Sequence, residues 1–403
     1  MYRSRVFLTN HDGDCCLILP PRLCLGAIAY AKDMPIPLTC VIIRSTLGSS
    51  EPRFRNASNF MSQLGLGVTH INWARSNSDL EVLSHNRDKL YVVQARYGAG
   101  ARNYVKHLRF LIYVLKTLFT SKPKVIYACD LDTFLPSVIY RIFNRGILIF
   151  DQFDPLSARV RNRFLKSALD RCENFLVRSA DIRITANLQR IPVAAQKSWF
   201  EIKNLFPIKL NPNIHKLNQD GFHLLYGGIL GYDRGLIETV SVIRNMSDWT
   251  MDIFGQGVIQ PSLMNTNSKN VVVHTSISHE ELMERARTAN LYLAMYDPDI
   301  NNNRLTASNK LFEAAQLGIP LLTSKGTHIG EIVEKYKLGW VVTYGNLREI
   351  EAALNACAGL SKSEALEITA NLLQYFQTEL GHQNANTQLI GNRITAMMKM
   401  GVE

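Results

Sequence analysis

Residues 308 to 324, SNKLFEAAQLGIPLLTS, set a cation and a carboxylate one helical turn apart and then run straight into an apolar stretch. Lys310 and Glu313, three positions apart, share one face of that helix. Ser308 or Thr306 can cap its start, and from Ser308 and Asn309 onward the first backbone N–H groups and the helix dipole favour an anion. Lys310 adds a full positive charge at the same end. Glu313 can accept two hydrogen bonds from a vicinal diol, the pattern that a ribose offers. The stretch therefore spells a diphosphate at Lys310 and a ribose at Glu313. A carboxylate with that task has little packing role, so its loss is expected to spare the fold. Read as ordinary structure, the same residues are a solvent-facing pair on a helix that Gly318 ends before a proline.

Two more strand ends suit the same anion. In YGGILGYDRGL (226 to 236), Gly227, Gly228 and Gly231 let the backbone approach closely, and Arg234 can meet negative charge. FGQG (254 to 257), with Gly255, ends another strand. In the first half, YACDLDTFLPSVIY (127 to 140) and ILIFDQFDP (147 to 155) place Asp130, Asp132, Asp151 and Asp154 after apolar runs. Asp130 and Asp151 each end a run directly and are the leading candidates for catalysis. An aspartate there is equally an ordinary helix cap. Asp130-Leu131-Asp132 has the spelling of a metal-binding triplet, yet no metal is expected. NHDGD (10 to 14) adds Gly13 and His11 as weaker candidates.

The elements that must hold these residues follow from the apolar pattern. Strand-like runs at 5–10, 38–44, 68–74, 89–95, 124–129, 146–151 and 181–187 alternate with helical patterns, which means a parallel sheet covered on both faces. An irregular, proline-bearing segment at 203–216 reads as a linker. The alternation restarts with runs at 222–230, 249–255, 270–276, 290–296, 319–324 and 339–344. Helical spacing recurs at 279–289 and 347–359, and the tail reads as two helices, 361–380 and about 384–400. The 403 residues divide into an N-terminal domain, 1–205, a C-terminal domain, 206–380, and a last helix, 381–403, able to pack back on the first domain.

Charge is split unevenly. Residues 1–205 hold 29 Lys and Arg against 15 Asp and Glu, and residues 206–403 hold 16 against 19. A basic half beside a nearly neutral one implies a polyanionic partner for the first domain alone. The segment 101–124 mixes Arg102, Lys106, Arg109 and Lys116 with aromatic and aliphatic residues, and 157–166 adds Arg159, Arg161, Arg163 and Lys166. Both suit an amphipathic surface on anionic lipid. The apolar face of the first segment also fits a helix packed on the sheet. No apolar run approaches the ~20 residues that span a bilayer. Seven cysteines without C-x-x-C spacing and an early polar N-terminus are expected for a cytosolic protein.

In order, the "GG…RG" strand end, FGQG, HTSISHEELMERARTANLYLAMY and NKLFEAAQLGIPLLTS resemble the C-terminal half of GT-B glycosyltransferases, family 4 in particular, over residues 222 to about 345. The resemblance implies two Rossmann-like doubly wound parallel-sheet domains with C-terminal helices. It implies that Glu313 holds the nucleotide ribose and that Arg234 and Lys310 hold the diphosphate, with Gly228, Gly255, Ser308 and Asn309 around them. Two positions depart from the family pattern: Leu305 stands where its first paired glutamate falls, and Ile229 where its first loop carries arginine. The expected function is transfer of a sugar from a nucleotide-diphosphate sugar to a membrane-associated, lipid-linked glycan, retaining and metal-independent, with no other cofactor. It is expected on the inner face of the cell membrane, peripherally bound. The alternatives are a nucleotide-sugar 2-epimerase of the same fold and a basic nucleic-acid-binding protein. No RNA-binding aromatic signature, zinc module or helix-turn-helix supports the last, so nucleic acid is not an expected partner.

Overall fold

The computed structural model describes residues 39–46, 52–75, 89–93, 101–153, 163–205, 221–265, 268–275, 277–306 and 308–400. The strand expected at 5–10, His11, Gly13, Asp154, Arg159, Arg161 and most of the expected linker lie outside them. Strands β1 (Thr39–Arg44), β2 (Gly67–Ala74), β3 (Lys89–Val92), β4 (Val125–Cys129), β5 (Ile147–Gln152), β6 (Ile182–Thr185) and β7 (Phe200–Glu201) form one parallel sheet in the order β3-β2-β1-β4-β5-β6-β7. Helices α1 (Pro52–Gln63), α2 (Ala101–Ser121), α3 (Asp130–Phe143) and α4 (Arg163–Leu176) belong to this half. The two-residue β7 is too short to show in the apolar pattern.

The second sheet, also parallel, runs β10-β9-β8-β11-β12-β13, from β8 (Phe222–Gly227), β9 (Trp249–Phe254), β10 (Val271–His274), β11 (Leu291–Ala294), β12 (Leu321–Ser324) and β13 (Gly339–Val342). Its longer helices are α5 (Leu236–Ile243), α6 (His279–Ala286), α7 (Asn309–Leu317), α8 (His328–Tyr336) and α9 (Leu347–Ala358), followed by α10 (Lys362–Met400). Alternate residues of one strand enter opposite cores. Val41 and Ile43 pack with Phe110 and Phe134, whereas Cys40 and Ile42 pack with Phe54 and Met61. Strands buried on both faces need continuous apolar runs, which is why these read so plainly in the sequence.

The tail is one helix of 39 residues, not two. Gly381 lowers helix propensity by only about 1 kcal/mol, and packing on either side of it outweighs that. Leu372, Tyr375 and Phe376 enter a core of the second half, while Ile390 and Ile394 enter a core of the first. Between them, Glu379 pairs with Lys203, and the Asn386 side chain donates to the Glu201 carbonyl at 2.9 Å. The helix thus spans both sheets. Among the described residues, no helix is long and apolar enough to cross a membrane.

Ile394 is fully buried and Leu389 is 55% exposed. Chemical denaturation of Ile394→Ala is expected to show a loss of roughly 2–5 kcal/mol, with little change in Leu389→Ala. Equal stability of the two variants would mean that the end of α10 does not seal the first core.

Candidate functional site

Strand order in the second sheet reverses at β8, which has β9 on one side and β11 on the other. The loops leaving β8 and β11 therefore part, and a crevice opens beyond their carboxyl ends. Gly228, with φ of +143°, turns the chain at the end of β8. A Cβ there would lie 2.9 Å from the Lys310 Nζ, so the lysine reaches back over the backbone of the first loop. Its ammonium sits 4.9 Å from the Tyr226 ring centre and 5.6 Å from that of Tyr296, and it donates to the Tyr296 hydroxyl at 3.5 Å. Burial opposes this charge, but Tyr296, Tyr226 and Glu313 outweigh it and hold the lysine above its ordinary range.

Arg234 arrives at the same end of the sheet from the other side. Its guanidinium donates to Asp233 at 2.9 Å and to the Asn303 side-chain oxygen at 3.0 Å, and it lies over the Tyr296 ring at 4.8 Å. Asn303 also donates to Asp233 at 2.8 Å, so the three side chains lock one another. Lys310 and Arg234 thus flank one tyrosine. Two cations converging at a strand end beside a helix start have the chemistry to meet an anion.

Gly255 serves the backbone of this site. With φ of +153°, it packs so closely that a Cβ would fall 1.8 Å from the Gly228 carbonyl oxygen. The Gly228 N–H donates to the Phe254 carbonyl at 2.9 Å, and the Leu230 N–H to that of Gln256 at 3.0 Å. FGQG therefore braces the first loop. Ser308 stands at the N-cap position of α7 but makes no capping bond; its hydroxyl pairs with that of Tyr296 at 2.7 Å. Asn309 accepts from the Asn204 side chain at 2.8 Å and so faces the chain that joins the halves.

Glu313 differs most from its expected setting. It is 6% exposed, and its carboxylate is held by the Tyr292 hydroxyl at 2.9 Å and by His279 Nε2 at 3.1 Å. Burial, then the adjacent Glu313, pushes the Tyr292 hydroxyl well above its ordinary range, so it stays a donor. The carboxylate is buried, and its removal takes the acceptor from the buried Tyr292 hydroxyl rather than sparing the fold. Tyr226, Tyr292, Tyr296, His279 and Asn303 were not among the residues singled out from sequence. Tyr292 and Tyr296, four apart along NLYLAMY, share a face by strand alternation, the one signal that was available.

In the first half the two leading aspartates part company. Asp151, at 1% exposure, is paired with Arg53 through both carboxylate oxygens and accepts from the Tyr127 hydroxyl at 2.6 Å. Burial, then Asp151, drives the Tyr127 hydroxyl well above its ordinary range. With its oxygens so occupied, Asp151 holds structure and leaves no face for a substrate. Asp130 has φ of +67°, an uncommon conformation for a residue with a side chain. It accepts from the Phe153 N–H at 2.8 Å and lies 3.8 Å from Arg44. Such a conformation costs energy and persists only where the surrounding structure holds it. Asp132 turns instead to His107 at 3.3 Å. Burial opposes its charge, but hydrogen bonds from His107 and Ser45 hold its carboxyl below the usual range.

Solved structures with this architecture include glycosyltransferases. Sucrose-phosphate synthase from Thermosynechococcus elongatus superposes with a TM-score of 0.66 at 13% identity, over 90% of this chain and 100% of that one. Anabaena HepE, solved in complex with UDP and glucose, gives 0.64 at 15% identity, over 88% and 100%. WaaG, a glycosyltransferase involved in lipopolysaccharide biosynthesis, gives 0.62 at 12%, over 88% and 99%. At such identities the likeness is one of fold, and the fold is GT-B. No family model and no curated protein matches the sequence.

Asp151→Asn is expected to destabilise the protein by about 3–5 kcal/mol, because Arg53 keeps a buried charge without its counter-ion. Asp130→Asn should change stability far less, since asparagine also tolerates positive φ. Thermal unfolding of both variants checks the contrast.

Proposed function

We propose that the chain is a glycosyltransferase that takes a sugar from a nucleotide-diphosphate donor and passes it to a lipid-linked glycan, with retention at the anomeric carbon and no metal required. The observation that carries this reading is the convergence of Lys310 and Arg234 on Tyr296 at the switch point of the second sheet. A departing nucleoside diphosphate gains negative charge as the glycosidic bond breaks. Fixed cations and the α7 N-terminus stabilise that charge without reorganising. HepE, with the same fold, was solved with UDP-glucose bound, which supports a nucleotide sugar as donor. Asp130, strained at the end of β4 in the first half, is proposed to face the reacting sugar or the acceptor hydroxyl.

The first half supplies the acceptor side. The outer faces of the neighbouring helices α2 and α3 expose Tyr104, Val105, Leu108 and Ile112, and Leu135, Ile139, Ile142 and Phe143. Only one face of α2 packs inward, through Phe110, Val114 and Leu118. Exposed Arg109, Lys116, Lys122, Lys124 and Arg145 belong to the same helices and the turns that follow them. An apolar ridge among cations suits an anionic membrane, whose attraction is about 1 kcal/mol per cation. These features support peripheral attachment of the proposed enzyme to the cytoplasmic face of the cell membrane.

Titration calorimetry with UDP is expected to show a loss of about 1.5–3 kcal/mol in Lys310→Ala and in Arg234→Ala. Uridine should bind nearly alike to all three proteins. Equal affinity of wild type for UDP and uridine would remove the diphosphate from this site. Asp130→Asn should lower turnover more than donor affinity, and the anomeric coupling of the product, read by NMR, tests retention.

Sedimentation with phosphatidylglycerol vesicles is expected to carry down the wild type at low salt. Release should follow as salt screens charges beyond about 10 Å at 0.1 M. Arg109→Glu with Lys116→Glu should stay in the supernatant. Binding that survives charge reversal and high salt would separate this face from the membrane.

A further inference from the structure

The loop that carries Arg234 has its backbone fixed from within the second half. The Tyr344 hydroxyl donates to the Tyr232 carbonyl at 2.8 Å, and the Asp297 N–H donates to the Asp233 carbonyl at 3.1 Å. Gly235, with φ of +62°, packs so closely that a Cβ would strike the Met295 sulfur. These contacts leave open the direction of the Arg234 side chain. Asp233, in the same loop, and Asn303, outside it, set that direction. The Asn303 side-chain oxygen accepts from Arg234 at 3.0 Å while its amide donates to Asp233 at 2.8 Å, so both ends of one amide are in use. Asn303 is buried, and a shift that breaks one of these bonds breaks the other and leaves polar groups unmet.

Asn303 itself lies on a single helical turn, Asn301–Arg304, which the first half grips on both sides of that residue. Before it, the Asn302 side-chain oxygen accepts from Arg190 at 3.4 Å. After it, the Leu305 carbonyl accepts from Arg190 at 3.1 Å and from the Asn187 amide at 3.0 Å. Arg190 is anchored in its own half by a bond to the Phe153 carbonyl at 2.9 Å. Asn187 is buried, and its side-chain oxygen accepts from the Gln189 N–H at 2.9 Å, which fixes the amide that meets Leu305. The residue between the two grips is the one that aims Arg234. A grip on a main-chain carbonyl holds the turn itself, whereas a grip on a side-chain tip alone would not.

We infer that Arg190 is a positioning residue for Arg234: it holds the turn whose Asn303 aims that guanidinium, so the first half helps to set the affinity of the second for a nucleoside diphosphate. The inference rests on the donor reading above and adds to it a residue that acts through others. Arg190 reaches Arg234 through the Asn302–Leu305 segment and Asn303, without a bond of its own to that residue. Influence carried through intermediates is established by non-additivity, because two residues that act through one group cannot each remove it.

The test is a double-mutant cycle on the full chain, read by titration calorimetry with UDP and with uridine. Arg190→Met keeps the length of the side chain and removes its donors. It is expected to weaken UDP binding by about fivefold or more, the lower end of couplings between separate sites, and to leave uridine binding unchanged. In the Arg234→Ala background the same change should cost nothing further. If Arg190→Met does not fold, Asn302→Ala, which removes only one of the bonds, takes its place with the same pattern expected. UDP affinity equal to that of wild type, or an equal loss with and without Arg234, overturns the inference. Side-chain NMR with isotope-labelled arginine supplies a readout without nucleotide. The Arg234 Nε–H signal, identified by its loss in Arg234→Ala, should shift in the variant, and an unshifted signal also overturns the inference. If the wild type does not bind UDP, the donor reading falls, and the arginine signal alone decides whether Arg190 aims Arg234.

Discussion

The parallel pairing of β8 with both β9 and β11 is the constraint on which the site depends. It parts the loops that leave β8 and β11; Arg234 and Tyr296 stand on those loops, Tyr226 and Tyr292 on the strands themselves and Lys310 on α7. Closeness is then enforced by glycine. A side chain at Gly255 would strike the Gly228 carbonyl, and the loop over which Lys310 lies would have to move. Three tyrosines complete the arrangement. They offer rings and hydroxyls to Lys310, Arg234 and Glu313, which lets charge remain in a half-buried crevice that apolar residues alone would make costly.

The first half follows the same plan with different contents. Its sheet reverses at β1 and β4, and the strained Asp130 stands at the carboxyl end of β4. One strand further, Asp151 is drawn under the surface by Arg53, which also donates to the Ile202 carbonyl at 2.8 Å. That pair ties α1 to β5 and to the chain leaving the first half. Arg44 and Arg53 both lie against the Phe153 ring, at 3.9 and 4.9 Å, so the basic character of this half is partly structural. On the outer helices Arg141 pairs with Asp181, whereas Arg109 and Lys116 are exposed.

Among the described residues, side chains join the halves at several points. Asn187 and Arg190 reach the Leu305 carbonyl, Asn204 reaches Asn309, and α10 packs its first part on one half and its last part on the other. Leu305 stands where the family pattern expects an acid. In this chain its backbone, through the carbonyl, is what the first half grips, so the departure at that position coincides with an interdomain contact.

By itself the sequence determined the alternation of strands and helices, the division into two sheets and the helix that carries Lys310 after a strand end. Those follow from local periodicity, from continuous apolar runs and from charges close together in the chain. It also exposed Gly228 and Arg234, since a glycine-bearing strand end is a local signal. Only the tertiary structure decided which polar groups are spent on the fold. Asp130 and Asp151 look alike in sequence, each closing an apolar run, yet a partner 98 residues away buries one and a positive φ marks the other. Glu313 reads as a surface carboxylate until Tyr292 and His279 close over it from β11 and α6. The continuity of α10 was equally hidden, because packing against two distant cores, not local propensity, carries the helix through Gly381. Burial and pairing are set by residues far apart in the chain, and no local pattern records them.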